Sequence, residues 1–152
     1  MTTTEEVCKR KSAASMALKI KKDPVRAMQL ALEAVALFDE VVTTDEQRGD
    51  LAHGLAGLLR DLGELERCEP LAVLAIDLEA ALPEPRALIL GTRHMFYATY
   101  LHGLRRFGEA AQHARSAVAI YATGIHANDP ELAYLRARVA AIIADAESPA
   151  GS

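Results

Sequence analysis

The sequence predicts an all-α chain built from repeated antiparallel helix pairs, and three observations carry that prediction. Ala and Leu supply 29 and 20 of the 152 residues, both are strong helix formers, and the Ala/Leu/Glu/Arg-rich mix argues against a β-sandwich. Apolar residues recur at helical spacing between regularly placed breakers, and no stretch alternates with period two for long enough to suggest a strand. Finally, the segments repeat themselves at offsets of 41 and then 42 residues, the signature of a solenoid of stacked helix pairs.

The elements follow from the breakers in order. A first helix over about 5–21 stops ahead of Asp23-Pro24, and a second, about 25–42, follows that proline and runs to Thr43-Thr44-Asp45. A third, about 47–62, carries Leu55, Leu58, Leu59 and Leu62 on one face and ends at Gly63. The fourth, about 65–82, carries Leu71, Leu74, Ile76 and Leu78 and ends at Pro83-Glu84-Pro85. Gly108 separates a fifth helix, about 86–105, from a sixth, about 109–125; Asn128-Asp129-Pro130 opens the seventh, about 130–147. Residues 148–152 read as a flexible tail.

Aligning Asp23-Pro24-Val25-Arg26-Ala27, Glu64-Leu65-Glu66-Arg67-Cys68 and Arg106-Phe107-Gly108-Glu109-Ala110 exposes the repeat. Small residues recur at Ala27/Cys68/Ala110, Ala31/Ala72/Ala114 and Ala34/Ala75/Ala117, and apolar residues at Val35/Ile76/Val118 and Leu37/Leu78/Ile120. In the preceding helices Ser15/Ala56/Ala98/Ala140 is a small column, Leu18/Leu59/Leu101/Ile143 a large one, and Ala14/Leu55/Tyr97/Val139 precedes the small one. Two antiparallel helices approach closely only where both present small side chains, and large residues a turn away fill the grooves. The chain is therefore expected to be a single domain over 1–147, with repeats at about 8–48, 49–90 and 91–132 and a half-repeat at 133–147.

The formal charge of −4 with 25% charged residues gives no support to nucleic-acid binding. The charge is uneven: residues 1–26 carry net +4, 27–85 net −10 and 86–152 net +2, an asymmetry able to orient a partner or a second copy. Lys19-Ile20-Lys21-Lys22 is too short, and lacks an adjacent aromatic, for a nucleic-acid footprint; no apolar run approaches a membrane span. Two cysteines, Cys8 and Cys68, make a disulfide framework unattractive, and the amino terminus lacks a signal-peptide core. A cytoplasmic protein that binds neither nucleic acid nor membrane is expected.

No catalytic constellation emerges. The carboxylates crowding 27–85 read as a solvated helix surface. His53, His94, His102, His113 and His126 include no pair at the i,i+4 spacing of a helical zinc site. There is no GxGxxG, P-loop or GxSxG motif, and neither cysteine has a histidine nearby in sequence. Cys68 stands in an alanine column and reads as a small buried hydrophobe, whereas Cys8 reads as near-surface. A non-enzyme without metal or cofactor is expected.

The columns resemble the tetratricopeptide repeat (TPR). That family places a small residue at the eighth position of helix A, a bulky one at the turn, an Ala opening helix B and another Ala seven residues on. These roles fall here on Ser15, Ala56, Ala98 and Ala140, then Pro24, Leu65 and Phe107, then Ala27, Cys68 and Ala110, then Ala34, Ala75 and Ala117. Leu104-Arg105-Arg106-Phe107-Gly108-Glu109-Ala110 is the closest single match. The long period resembles the variant found in kinesin light chains and many bacterial regulators. The sequence departs from the pattern where an early aromatic is replaced by Lys11, Ala52, His94 and Arg136, where the turn glycine survives only at Gly63, and where the proline after helix B shifts to Pro83 and Pro130.

The resemblance implies a right-handed superhelix of about three and a half helix pairs, with the A helices lining a concave face. It places Lys9, Ser12, Met16 and Lys19 on that face in the first repeat, and Asp50, His53, Gly57 and Arg60 in the second. The third contributes Thr92, Met95, Thr99 and His102 with Phe96 beside them; the fourth contributes Tyr134, Ala137 and Ala141 with Arg138 beside them. Basic groups with Met95, Phe96 and Tyr134 as apolar anchors suit a peptide bearing acidic side chains or a free carboxylate. The family's Lys/Asn carboxylate clamp is absent. The expected function is a non-catalytic module binding a peptide or helix of another protein. The alternatives are a self-associating structural subunit and, behind it, an all-α enzyme with an unrecognised site.

Overall fold

The computed structural model describes residues 2–124 and 129–148. The predicted helix end at Ile125, the turn residue Asn128, His126 and the tail residues 149–152 lie outside the described residues. Among the described residues the chain forms seven α-helices and no strand: α1 (Thr3–Lys19), α2 (Pro24–Phe38), α3 (Asp45–Asp61), α4 (Leu65–Ala80), α5 (Ala87–Gly103), α6 (Phe107–Gly124) and α7 (Pro130–Glu147). They fall into two compact units, Met1–Leu78 and Glu79–Ser152, with the boundary in the last turn of α4.

Caps set the helix starts. α1 begins two residues earlier than expected because Thr2 and Glu5 form a capping box: the Thr2 hydroxyl accepts from the Glu5 amide at 3.1 Å, and the Glu5 carboxylate accepts from the Thr2 amide at 2.8 Å. Asp23 and Thr44 cap α2 and α3 through the Arg26 and Gln47 amides, and Asp129 caps α7 through the Glu131 amide. Pro24 and Pro130 occupy the first helical position, where a missing N–H costs nothing. Gly108 does not break the chain as expected: α6 already starts at Phe107, with Ala110 N–H donating to the Arg106 carbonyl at 3.0 Å. α2 stops four residues short of the expected end. Val41 turns back into the core, and Arg48 holds it there by donating to the Val41 carbonyl while lying 4.5 Å from the Phe38 ring centre.

In the first unit α1 and α2 pack as a pair and α3 lies against both. The Lys11 side chain of α1 lies over Gly54 of α3, its ammonium 2.9 Å from where a Cβ would stand. α4 meets α3 where the Cys68 thiol donates to the Ala56 carbonyl at 3.2 Å. In the second unit α6 packs between α5 and α7. The nine small residues of the three helix-B columns are all buried in the core, as close helix–helix approach requires. Ala56 and Ala98 of the helix-A column are fully buried, whereas Ala140 on α7 is exposed.

Candidate functional site

Within the first unit, the predicted site residues lie on α1 and α3. Lys9, Ser12, Met16 and Lys19 are exposed on α1; Asp50 and Arg60 are exposed on α3, with His53 and Gly57 half-buried between them. The spacing of three, four and three residues on each helix keeps each set on one stripe. The two stripes meet at their carboxyl ends. Lys19 Nζ lies 3.8 Å from one Asp61 oxygen, and an Arg60 terminal nitrogen lies 3.6 Å from the other. Asp61 was not anticipated, because it stands one residue past the register that selected Arg60. Exposed Ile20 extends the apolar surface begun by Met16.

Lys9 also borders a second feature, a cleft of about 370 Å³ between α1 and α2, lined by Glu6, Arg10, Ala13, Arg26, Leu30 and Glu33 as well. Arg10 closes part of it, reaching Glu6 at 3.3 Å and Glu33 at 3.4 Å.

In the second unit the predicted residues lie on α5 and α7. Arg138 donates to the Thr99 hydroxyl at 3.4 Å, and His102 Nε2 lies 2.6 Å from Asp145, an acid that sequence reasoning did not single out. Tyr134 is exposed, and Phe96 is half-buried. Met95 is buried, not an exposed anchor. The reason is that α5 is apolar nearly all round, with eight buried residues, so its wet face is narrower than the repeat register implies. Thr92 is spent on structure: it donates to the Leu88 carbonyl at 2.7 Å and so receives the Tyr121 hydroxyl at 2.6 Å.

The expectation that every carboxylate of 27–85 is solvated fails at Glu79, which is 1% exposed. Its oxygens receive the Arg86 amide at 2.8 Å, the Arg86 guanidinium at 2.6 Å and Arg93 at 3.4 Å. Burial pushes this carboxyl up. The Arg86 hydrogen bonds and the Arg86 and Arg93 charges together outweigh burial and hold it below the ordinary value. The signal was present in the sequence: one residue beyond the columns read above, Glu79 aligns with Phe38 and Tyr121, both buried. Arg86 receives this anchor as the residue before α5 and takes no side-chain cap of its own.

His94 and His113 do not have the spacing of a helical zinc pair, yet their Nδ1 atoms lie 2.9 Å apart across α5 and α6, with the Tyr97 ring edge-on to His113. One ring must donate and the other accept, so the pair holds together only while at least one is neutral. Burial lowers the His113 pKa, opposed by Glu109. Burial also pushes the Cys68 thiol up to about 11, the Arg60 charge pulling the other way, which makes it chemically quiet at neutral pH. Cys8 is exposed. Among the described residues no group of three or more His, Cys, Asp or Glu side chains could hold a metal ion, and no helix is long and apolar enough to cross a membrane.

Comparison with known proteins gives the fold a class. Crystal structures of the nearly identical TPR-like repeats of a Podospora anserina protein assigned as a kinesin light chain, and of a variant of it, superpose on this chain. Each covers 93% of this chain and 67% of the other, with a TM-score of 0.74 and 16% identity. The chain has a TPR-like helical repeat fold. No protein-family profile and no curated protein matches it.

Proposed function

We propose that the chain is a non-catalytic interaction module, working as one repeat domain over 1–147, that holds a peptide or helix of a partner protein against its A-helix faces. One observation carries the reading: the α1 and α3 stripes leave Lys9, Lys19, Arg60 and Met16 exposed together on one unit. Cations beside apolar side chains suit acidic side chains or a free carboxylate. Tyr134 and Arg138 supply the same pairing of chemistries on α7. The absence of any matching family leaves the partner to be defined by chemistry, and fold alone never fixes function. The free cysteines suit a reducing cytoplasm. The test is affinity capture with the wild type beside an Arg60→Glu/Arg138→Glu variant of equal helicity. A partner held by the wild type alone supports the reading; equal capture by both counts against it.

A second reading, self-association, is favoured by α7. Ala133, Ala137, Ala140 and Ala144 are exposed along it at i, i+4, i+7 and i+11, although the counterparts of Ala140 in α3 and α5 are fully buried. Light scattering over a concentration and salt series decides this: a mass fixed at 16.4 kDa throughout rejects it.

A further inference from the structure

We infer that Asp61 is an internal stand-in for a carboxylate that a partner supplies, so that the carboxyl ends of α1 and α3 accept an acidic peptide whose charge is flanked by an apolar side chain. The inference rests on the interaction-module reading and names the partner chemistry of its first-unit face. Two cations from two helices converge on one carboxylate, Lys19 at 3.8 Å and Arg60 at 3.6 Å, one on each oxygen. Both separations are long, and the side chains of Lys19, Arg60 and Asp61 are 64%, 41% and 35% exposed. Exposed ion pairs of this kind are weak and open readily to a competing carboxylate. Asp23 is committed to the Arg26 amide as the cap of α2, and Lys21 and Lys22 are exposed in the turn that follows α1.

The apolar side chains choose the occupant. Met16 and Ile20 are 50% and 72% exposed, and they stand one helical turn apart on either side of Lys19 in sequence. A bare inorganic anion would leave both in water. A peptide with Asp or Glu next to Leu, Ile or Phe covers them and supplies the carboxylate together.

The test selects peptides from a random display library on three proteins: the wild type, Asp61→Asn, and the double variant Lys19→Gln/Arg60→Gln. Selected peptides and their amide versions, with Gln and Asn in place of Glu and Asp, are then measured by fluorescence anisotropy. Circular dichroism confirms equal helicity. We expect wild-type selections rich in acid–apolar pairs, with amide versions binding about tenfold more weakly. We expect Asp61→Asn to bind the acidic peptides roughly two- to fivefold more tightly, and the double variant to lose the preference for acid. Binding unchanged or weakened by Asp61→Asn overturns the inference, as do amide versions that bind equally well. In the latter case, peptides that lose binding on Met16→Glu leave the interaction-module reading standing; a selection that enriches nothing on any of the three proteins removes both. Sedimentation of the wild type with phosphatidylserine vesicles, released by Ile20→Glu, would assign the patch to a membrane surface and also overturn it.

Discussion

Lys22, Gly63 and Arg105 stand at one register of the repeat, offset by 41 and 42 residues, and all three have positive φ, of 53°, 79° and 61°. Each follows a helix-A carboxyl end, where the next amide turns back to a carbonyl inside the helix: Asp23 to Ala17, Glu64 to Leu59 and Arg106 to Leu101. Only Gly63 adopts this conformation without a Cβ penalty. Lys22→Gly and Arg105→Gly should therefore each stabilise the protein by roughly 0.5–1 kcal/mol, and Gly63→Ala should destabilise it by about 1 kcal/mol, read as shifts in the urea midpoint. The turn was legible at Gly63 because glycine announces it; Lys and Arg in the same conformation announce nothing. Cys68 was legible because its column neighbours are alanines. Its buried thiol, pushed up to about 11, predicts that iodoacetamide adds once per native chain at neutral pH, at exposed Cys8, and twice in denaturant, as counted by intact mass.

The helices themselves were legible because period, breakers and repeat columns agree with one another. Their ends were less so: three adjacent threonines leave the start of α1 open until the Thr2–Glu5 box selects it, and the fold-back of Val41 depends on contacts outside the helix. What joins the elements was least legible. Glu79 ties the end of α4 to the start of α5 through Arg86 and to the body of α5 through Arg93, yet as a sequence letter it is one more acid in an acidic stretch. Removing it leaves Arg93, 3% exposed, without this carboxylate. Glu79→Ala should therefore cost about 3–5 kcal/mol in chemical denaturation. Asp77→Ala, two residues away and exposed, should stay within about 0.5 kcal/mol. On the candidate face the same limit applies: the register found Lys19 and Arg60, but their convergence on Asp61 depends on how α1 lies beside α3.

At the scale of the whole molecule, the groups that acid should disturb are gathered in the second unit. His113 has a folded pKa below its unfolded value of about 6.5, so the unfolded chain binds the proton more readily. Its contribution is intact above that pH and is lost as pH falls from there through the folded value. Glu79 acts lower: its folded pKa lies below the unfolded value of about 4.3, so its pairing with Arg86 and Arg93 is intact above that pH and is lost as pH falls through the folded value. The shifted thiol of the first unit, Cys68, titrates near 11 and is silent across the acid range. In repeat folds a local penalty is felt by neighbouring elements first and spreads only through their contacts. Amide hydrogen exchange, corrected for intrinsic rates and followed from neutral pH to about pH 3, should therefore show α5 and α6 losing protection before α1 and α2. A His94→Gln/His113→Gln variant should flatten the first part of that loss and leave the lower part, which belongs to Glu79. Protection lost first in α1 and α2, or lost at one pH throughout the chain, would mean that the acid response is set by charge spread over the whole surface instead of by these buried groups.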